Sequence, residues 1–530
     1  MTEQPFGRFS PNGKQYIIHT PRTPRPWYNY LWNTSHVAII SQVGQGESLS
    51  QDAMGNRIPL VAARMLFVRD RDSAEFWSLN GLPNSDNFCC THAFGYTTIT
   101  SQHDNVYSKW RVFVPQNDLC EIWTIQLWNG DEKTRRLRLF SCADTLIDGP
   151  DKAQAYYMSQ GKWDQPAQAA TIHADCRFNQ QRRCINFITS DQPPSGYDTR
   201  QRAFIGYGTW QQPDAVIAGN CHDSACEMEK PLMALQHDLL LEPDQHITIN
   251  FVIGTVFEEQ EILAMRRRYF VEDGVEVALQ AVEKAISAEL ATTTITIDSL
   301  PDATIKIKKK NWCIGNKISR YKSPNHYLHT YNFTAFASHW LKRQISLGTQ
   351  WARVRHNGYR DLMQDIGAMA FFNPTLALTR CERVLTYQYS NGYAPRTWLH
   401  GQLLDKDFSD NHVWIPFTIY NLVMESGDVS ILQRSVKFND GSAASIYQHA
   451  KRALDYLWAD RGLHGLCRIR SGDWNDALNQ VGVDGRGVSI WLSMAWLVAN
   501  EQFCHLAKLV GDEATVAEGV LRSAEMRQSI

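Results

Sequence analysis

The chain has 530 residues, 43% of them hydrophobic, and its 53 basic and 55 acidic residues give a net charge of −2. This length allows two to four domains, and the balanced charge argues against nucleic acid or an anionic membrane as a partner. The N-terminal segment lacks the apolar run of a signal peptide, and no later segment approaches the roughly 18 apolar residues of a membrane span. We therefore expect a cytoplasmic protein that acts on a neutral ligand of modest size.

The first half of the chain, from about residue 10 to 255, consists of short runs that alternate polar and apolar residues or are rich in β-branched residues. Examples are EIWTIQLWN and HITINFVIG, and turn signals such as QPPSG separate the runs. This pattern predicts an N-terminal antiparallel β-sandwich over residues 1–256.

One segment of this half does not fit a central strand. In PRTPRPWYNYLW, residues 21–32, Pro24 and Pro26 would each remove a donor from the ladder of hydrogen bonds. We expect a rigid loop that packs on another domain or leans over its pocket.

Helical spacing begins near Glu258 and predicts a helical linker over residues 257–295, with one strand-like stretch, TTTITIDSL, at its end. The remainder, residues 296–530, is dominated by helical segments joined by loops rich in Gly, Asp and Asn. Such a series suits an (α/α)6 barrel, although pattern alone leaves a loose helical bundle open. The predicted helices cover residues 325–350, 360–390, 412–426, 444–458 and 488–510.

The last segment, DEATVAEGVLRSAEMRQSI, reads as a helix without a C-cap glycine or a following proline. A natural terminus and a truncation both produce this pattern.

Cysteine spacing gives no sign of a metal site. Of twelve cysteines, Cys89 and Cys90 are adjacent and Cys221 and Cys226 are five apart, but neither pair has the flanking ligands that zinc requires. We expect reduced thiols, no metal and no organic cofactor. The 17 Trp, 20 Tyr and 22 Phe residues suit either stacking on sugar rings or a large aromatic core.

The loop SGDWNDALN, residues 471–479, concentrates the groups that sugar chemistry uses. Two carboxyl groups, an indole and two side-chain amides offer a proton donor, a stacking surface and hydrogen bonds to hydroxyls. The alternative is a turn rich in Asp and Asn that caps the following helix.

A second candidate segment is RVRHNGYRDLMQD, residues 353–365, in which Arg353, Arg355 and Arg360 precede or adjoin Asp361. Forked guanidinium groups suit phosphate or sugar hydroxyls. A solvated helix start with an aspartate near its N-terminus is the alternative.

The third segment is FSDNHVWIP, residues 408–416, a polar loop that leads into an apolar helix. Ser409 or Asp410 is expected to cap that helix with its side chain. We interpret His412 as a structural histidine.

Taken together, these segments resemble the glycoside hydrolase family 94 phosphorylases. The resemblance implies an N-terminal β-sandwich, a helical linker, an (α/α)6 catalytic barrel, a small C-terminal β domain and, commonly, a homodimer. Chains of that family continue well beyond Ile530, so we expect this barrel to be incomplete, and inactive or poorly folded alone. The resemblance rests on PRTPRPWYNYLW, HAFGYTTI, NGYRDLMQD, FSDN and GDWNDALN.

The resemblance also implies roles for individual residues. Asp476 matches the general acid that protonates the glycosidic oxygen, and Trp474 resembles the ring that lines the donor-sugar site. Arg355 and Asp361 match positions that bind donor hydroxyls, and Arg360 matches an arginine that helps to hold phosphate.

The activity that the resemblance implies is reversible, inverting phosphorolysis of a β-linked glucosyl disaccharide or short oligosaccharide to an α-sugar 1-phosphate, with inorganic phosphate as co-substrate. Phosphate is already an anionic nucleophile, so one carboxylic acid suffices. We expect burial, with a contribution from Asp473, to raise the pKa of Asp476.

Two alternatives remain open at this point, an inverting β-glucan hydrolase and a noncatalytic carbohydrate-binding module. Phosphate dependence separates the hydrolase from the phosphorylase. Asn411 and Ala477 depart from residues common in relatives, which leaves the acceptor sugar undetermined.

Overall fold

The computed structural model describes the chain as two compact units, Met1–Trp340 and Leu341–Ile530. The described residues are 6–51, 57–81, 86–145, 159–175, 183–291, 324–352, 357–399, 402–403, 407–478, 480–482 and 484–530. The predicted strand TTTITIDSL lies outside them.

The first unit is built mainly from β-strands, the last of which ends at Val256. In chain order they are β1 Gly7–Phe9, β2 Gln15–Ile18, β3 Tyr28–Trp32, β4 His36–Ser41, β5 Ser48–Gln51, β6 Arg57–Asp70, β7 Phe76–Ser78, β8 Asp86–Ala93, β9 Tyr96–His103, β10 Val106–Phe113, β11 Cys120–Asn129, β12 Arg135–Thr145, β13 Ser159–Asp164, β14 Ala169–Asp175, β15 Arg183–Ser190, β16 Gly196–Arg200, β17 Cys226–Glu227, β18 Pro231–Leu241 and β19 His246–Val256.

These strands form two antiparallel sheets. The larger has the order β1-β2-β8-β9-β10-β11-β19-β15-β14-β13-β17, and the smaller has the order β16-β18-β12-β6-β5-β4-β3, with β7 paired to β6. Their facing apolar side chains make one core, in which Trp110 and Trp123 meet edge to face at 5.6 Å. The predicted sandwich is confirmed, since alternate side chains of these strands face this core, as the alternating runs of the sequence predict.

Strand β3 occupies the edge of the smaller sheet, and its two preceding prolines lie outside it. The segment 21–32 is therefore a loop followed by an edge strand, which agrees with the exclusion of a central strand.

Helices of the first unit follow the strands or interrupt them. They are α1 Gln201–Ile205, α2 Asp214–Ala218, α3 Glu259–Tyr269 and α4 Gly274–Ala291, and α5 Pro324–Trp351 contains the boundary between the units. Helices α3 and α4 bury Ile262 and Leu279 against outward side chains of the larger sheet, including Phe113 and Val252. The described part of the predicted linker, residues 257–291, is thus mainly helical and packs on the sandwich.

The second unit consists of helices around one apolar core. After α5, its helices are α6 Tyr359–Met369, α7 Pro374–Leu385, α8 Asn411–Ser426, α9 Ile446–Ala459, α10 Ile490–Leu509 and α11 Glu513–Ser529. Helix α8 packs against α6, α7, α9 and α10. The predicted helical C-terminal domain is confirmed, and no described helix is long and apolar enough to cross a membrane.

One predicted helix, 360–390, is wrong as a single element, since it is divided into α6 and α7. Pro374 cannot donate to the helix backbone and occupies the first turn of α7, while the Asn373 side chain accepts a hydrogen bond from the Leu376 amide as the N-cap. The other predicted helices agree with α5, α8, α9 and α10 within two residues at each end.

Short strands complete the second unit. β20 Asn357–Gly358, β21 Thr397–Leu399 and β22 Gln402–Leu403 form a three-stranded sheet, and β23 Ser435–Lys437 pairs with β24 Ala443–Ser445.

A buried ion pair joins the two sheets of the sandwich. Arg64 of β6 donates through Nε and Nη2 to the carboxylate of Glu121 on β11, at 2.7 and 2.6 Å, and both side chains are fully buried. Trp123 Nε1 also donates to Glu121 Oε1 at 2.8 Å. Burial opposes ionisation of Glu121, but the Arg64 charge more than offsets it and lowers the pKa.

We expect Glu121→Gln to lower the free energy of unfolding by about 3 to 5 kcal/mol, because it leaves the Arg64 charge buried without a counterion. Urea unfolding followed by circular dichroism measures this loss. The control is Asp72→Asn, which breaks the exposed pair with Arg136 and should change stability little. Equal losses in both variants would contradict this account of the core.

Candidate active site

The candidate site begins at the N-terminus of α6, where the sequence NGYRD changes from strand to helix. Asn357 and Gly358 pair with Trp398 and Thr397 as strands β20 and β21, and the Tyr359 amide donates to the Arg396 carbonyl at 2.9 Å. This pairing places Arg360, in the first turn of α6, beside the segment that carries Arg396.

Arg360 is the most connected side chain of the site. Its Nη1 donates to Asp410 Oδ2 at 3.2 Å and to the Asp473 carbonyl at 2.9 Å. Its Nη2 donates to both carboxylate oxygens of Asp476, each at 2.8 Å. The guanidinium therefore joins α6, the start of α8 and the loop after residue 471.

Asp410 is a buried carboxyl group at the N-terminus of α8. Trp414 Nε1 donates to its Oδ2 at 3.3 Å, while its Oδ1 has no hydrogen-bond partner among the described residues. Burial raises the pKa of Asp410 to about 6, the Arg360 charge acts in the opposite direction, and Asp473 adds to the increase.

The predicted capping of α8 is wrong. Asp410 has the N-cap position but makes no capping hydrogen bond; its backbone is already helical there, and its Oδ2 is bonded to Arg360. Ser409 Oγ instead donates to the carbonyls of Ile469 and Gly472, at 3.0 and 3.2 Å. Both side chains therefore connect segments of the site and do not cap the helix.

The loop that contains the DWND sequence is fixed at its base. Gly472 has φ +153°, and a Cβ at this position would lie 2.6 Å from the Phe408 ring, so this close approach requires glycine. The buried Asp473 carboxylate accepts from the Asn475 amide at 2.8 Å and from Ser489 Oγ, and Ser489 caps α10. Asp473 therefore anchors the loop to that helix.

Tryptophans surround the middle of this loop. The Trp474 ring lies 5.5 Å from that of Trp414 and 6.2 Å from that of Trp491, and the Arg360 guanidinium lies 5.2 Å from its centre. Trp474 is nonetheless 46% exposed. The ring is held in place by three neighbours and keeps a surface open for a ligand.

Asp476 is more open than the sequence suggested. Its side chain is 54% exposed, and Arg396 Nη2 lies 3.5 Å from its Oδ1 in addition to the Arg360 contacts. The expected burial of Asp476 is wrong, because the loop turns this carboxylate toward the arginines and solvent. The described hydrogen bonds of the Asp473 carboxylate go to Asn475 and Ser489, not to Asp476.

Of the other two residues assigned from the resemblance, the structure describes Asp361 but not Arg355. Asp361 is half-buried in the first turn of α6, with its Oδ2 only 2.3 Å from where a Cβ on Gly358 would lie. Arg355 and Arg353 lie outside the described residues. The structure thus brings Arg360, Trp474 and Asp476 together and places Asp361 one residue from Arg360.

His412 is structural, as predicted. Its Nδ1 donates to the Ser409 carbonyl at 2.9 Å, its Nε2 accepts from the Ala394 amide at 3.1 Å, and its ring stacks on Tyr456. Burial lowers the pKa of His412 to about 4, so the imidazole is neutral near pH 7.

Sequence reasoning missed four residues of this site: Arg396, Asp410 as an ionic partner, Trp414 and Trp491. The FSDNHVW sequence did hold a signal, since Asp410 and Trp414 are four residues apart and share one helix face. Arg396 carries no comparable local signal, because its position depends on the pairing of β20 with β21.

Within the described part of the chain, one group of side chains could together bind a metal ion. Glu75, His103 and Asp104 of the first unit bring their ligand atoms within 4.8 Å of one another. They are separate from the residues around Arg360.

A sandwich of antiparallel sheets, a helical domain and a loop whose carboxyl group meets two arginines beside an open indole are typical of a carbohydrate-active protein. Residues 14–271 match the family description "Glycosyl hydrolase 94, supersandwich domain", and residues 329–530 match "Glycosyl hydrolase 94 superfamily, catalytic domain". The chain belongs to this family.

Two curated relatives come from Paenibacillus borealis. The solabiose phosphorylase is 27% identical over 545 residues, which cover 99% of this chain and 66% of the relative. The 3-O-beta-D-glucopyranosyl-beta-D-glucuronide phosphorylase is 30% identical over 526 residues, which cover 96% of this chain and 63% of the relative. The chain thus spans slightly less than two thirds of the length of these relatives.

Among solved structures, a bacterial glucoamylase complexed with acarbose is similar in fold. The match has a TM-score of 0.54 at 10% identity and covers 97% of this chain and 70% of that chain.

We expect Asp410→Asn to flatten the pH dependence of stability between about pH 4 and pH 6. The folded chain holds the Asp410 proton up to about pH 6, and an unfolded carboxyl loses it near 3.8, so the contribution of Asp410 to stability falls as the pH rises through this window. The full difference amounts to about 3 kcal/mol. Thermal unfolding at several pH values measures it, and identical pH profiles for the variant and the parent would contradict the assignment.

Proposed function

We propose that the protein catalyses reversible, inverting phosphorolysis of a β-linked glucosyl disaccharide or short oligosaccharide, with Asp476 as general acid. One observation supports this proposal best. The Arg360 guanidinium donates to both oxygens of the Asp476 carboxylate. A proton donor and an anion-binding group are thereby adjacent in one site.

Asp476 supplies the proton. As the bond between the anomeric carbon and the glycosidic oxygen breaks, the Asp476 proton passes to that oxygen and the shortened acceptor leaves as an alcohol. The 54% exposure of this side chain gives a bound sugar direct access to the carboxyl group.

Arg360 and Arg396 supply positive charge for phosphate. Both guanidinium groups face Asp476. A forked guanidinium binds phosphate with the same paired hydrogen bonds as a carboxylate, and a phosphate dianion carries one more negative charge. Phosphate that binds Arg360 would draw this guanidinium away from Asp476. The carboxylate could then take up the proton that it must donate to the glycosidic oxygen. Phosphate binding and protonation of Asp476 are therefore coupled.

The new bond forms between a phosphate oxygen and the anomeric carbon, on the face opposite the departing oxygen. A β-linked substrate therefore gives an α-sugar 1-phosphate. No general base is needed, since phosphate is already anionic, and the protein has only to hold it in line.

The donor sugar is assigned to the open face of Trp474, with Asp361 and Arg355 as hydroxyl-binding groups. The three neighbours that hold the Trp474 ring give a rigid stacking surface.

The printed names of the two Paenibacillus relatives, both phosphorylases of glycosides, support the reaction type. We further propose that the linkage is β-glucosyl, that inorganic phosphate acts without another cofactor and that the protein forms a homodimer. Light scattering measures the last of these.

The experiment is an assay of phosphate release from glucose 1-phosphate with glucose, gluconate, N-acetylglucosamine or β-glucan oligomers as acceptors. We expect release with one acceptor and a loss of about 10³-fold in Asp476→Asn, because a general acid contributes roughly 10²- to 10⁴-fold. The chain spans 66% and 63% of the two relatives, so the assay is run on this chain and on the longest form that its gene encodes, and we expect the release from the longest form.

The matched control is Asp484→Asn, which removes an exposed carboxylate of the same region that pairs with Arg486. It should retain the parent activity. Cleavage of a β-glucan without phosphate would favour the hydrolase, and binding without turnover of any substrate would favour the noncatalytic module.

A further inference from the structure

The outer face of the larger sheet is covered by helices at one end of its strands and is open to solvent at the other. At one end, the outward residues Phe113, Ile122 and Val252 lie opposite one another and pack against α3 and α4. Two residues further along β10, Arg111 forms an ion pair with Glu276 of α4. The helices therefore cover this end of the face.

At the other end, two outward rows cross four neighbouring strands beyond the Arg111 pair. The strand register aligns one row as Gln102, Tyr107, Trp128 and His246, and the other as Thr100, Lys109, Gln126 and Thr248. All of these residues except Thr248 line an open groove of about 660 Å³, which we call the sheet groove.

An aromatic pair forms the centre of the sheet groove. The rings of Tyr107 and Trp128 stack at 5.0 Å with an angle of 27°, and the side chains remain 38% and 44% exposed. Directly opposed residues on adjacent strands hold each other in place. The pair presents a rigid apolar surface to solvent in the middle of a polar sheet face.

Polar groups with free bonding capacity flank these rings. The side chains of Lys109 and His246 make no hydrogen bond or ion pair with any residue that the structure describes, and the Asp244 carboxylate at the rim is likewise unbonded. Gln102 and Gln126 are fixed by hydrogen bonds to the Asp104 carbonyl, at 2.7 Å, and to Thr248 Oγ1, at 3.4 Å. Hydrogen-bond donors and acceptors thus surround the apolar centre of the groove.

We propose that the sheet groove is a second, noncatalytic binding site for an oligosaccharide of β-linked glucose residues. The flat apolar face of a sugar ring matches the Tyr107 and Trp128 pair, while its equatorial hydroxyls match the surrounding amides, ammonium group and carboxylate. One cationic and one anionic side chain favour a neutral ligand. The identity of the sugar rests on the proposed function.

The groove and the candidate active site are carried by different units of the chain, so one can be altered without the other. The sheet groove would retain a long substrate on the protein between catalytic events.

The test is a calorimetric titration of cellohexaose and of laminarihexaose into the Asp476→Asn chain, which prevents turnover. In a Trp474→Ala background, which weakens binding at the active site, we expect one hexasaccharide still to bind. Trp128→Ala should then weaken that binding at least tenfold, Trp128→Phe should restore part of it, and Tyr207→Ala, which removes a ring that is 94% exposed elsewhere on this unit, should not change it.

Unchanged hexasaccharide binding in Trp128→Ala would overturn the groove assignment, even if Asp476→Asn had abolished phosphate release and so upheld the proposed function. Light scattering is measured on the same samples. Loss of a two-copy species in Trp128→Ala, without loss of sugar binding, would instead make the groove an interface between copies of this chain. Release of phosphate from glucose 1-phosphate with a monosaccharide acceptor should be equal in Trp128→Ala and the parent.

Discussion

The Arg360 guanidinium is the group on which the candidate site depends. Its side chain is only 13% exposed, so its charge requires acceptors within the protein. Those acceptors come from separate parts of the chain: Asp410 at the start of α8, and the Asp473 carbonyl and Asp476 in the loop before α10. Loss of this cation would leave two carboxylates without their shared partner and the loop without its link to α6.

This arrangement connects stability with chemistry. Asp410, Asp473 and the close contact of Gly472 with Phe408 hold the base of the loop inside the protein. Trp474 and Asp476, further along, remain open to ligands. A rigid base and an exposed tip are what a binding loop needs, because a preorganised group loses little entropy when its ligand arrives.

The sequence could predict the parts of this molecule that follow from local pattern. Alternation in runs such as EIWTIQLWN predicts one buried face per strand, and helical spacing located α8 to α10 within two residues. The break before Pro374 was equally local and was overlooked. The exposure of Asp476, the ionic role of Asp410 and the position of Arg396 could not be predicted, because each depends on contacts between segments far apart in the chain.

A double-mutant cycle on the Kd for inorganic phosphate tests most directly whether Arg360 exchanges Asp476 for phosphate. Calorimetry would compare the parent, Asp476→Asn, Arg360→Met and the double variant. Exchange at Arg360 predicts that Asp476→Asn tightens phosphate binding strongly when Arg360 is present and much less when it is absent, because only Arg396 then remains to be freed. Equal tightening in both backgrounds would show a general effect of charge and would contradict the exchange.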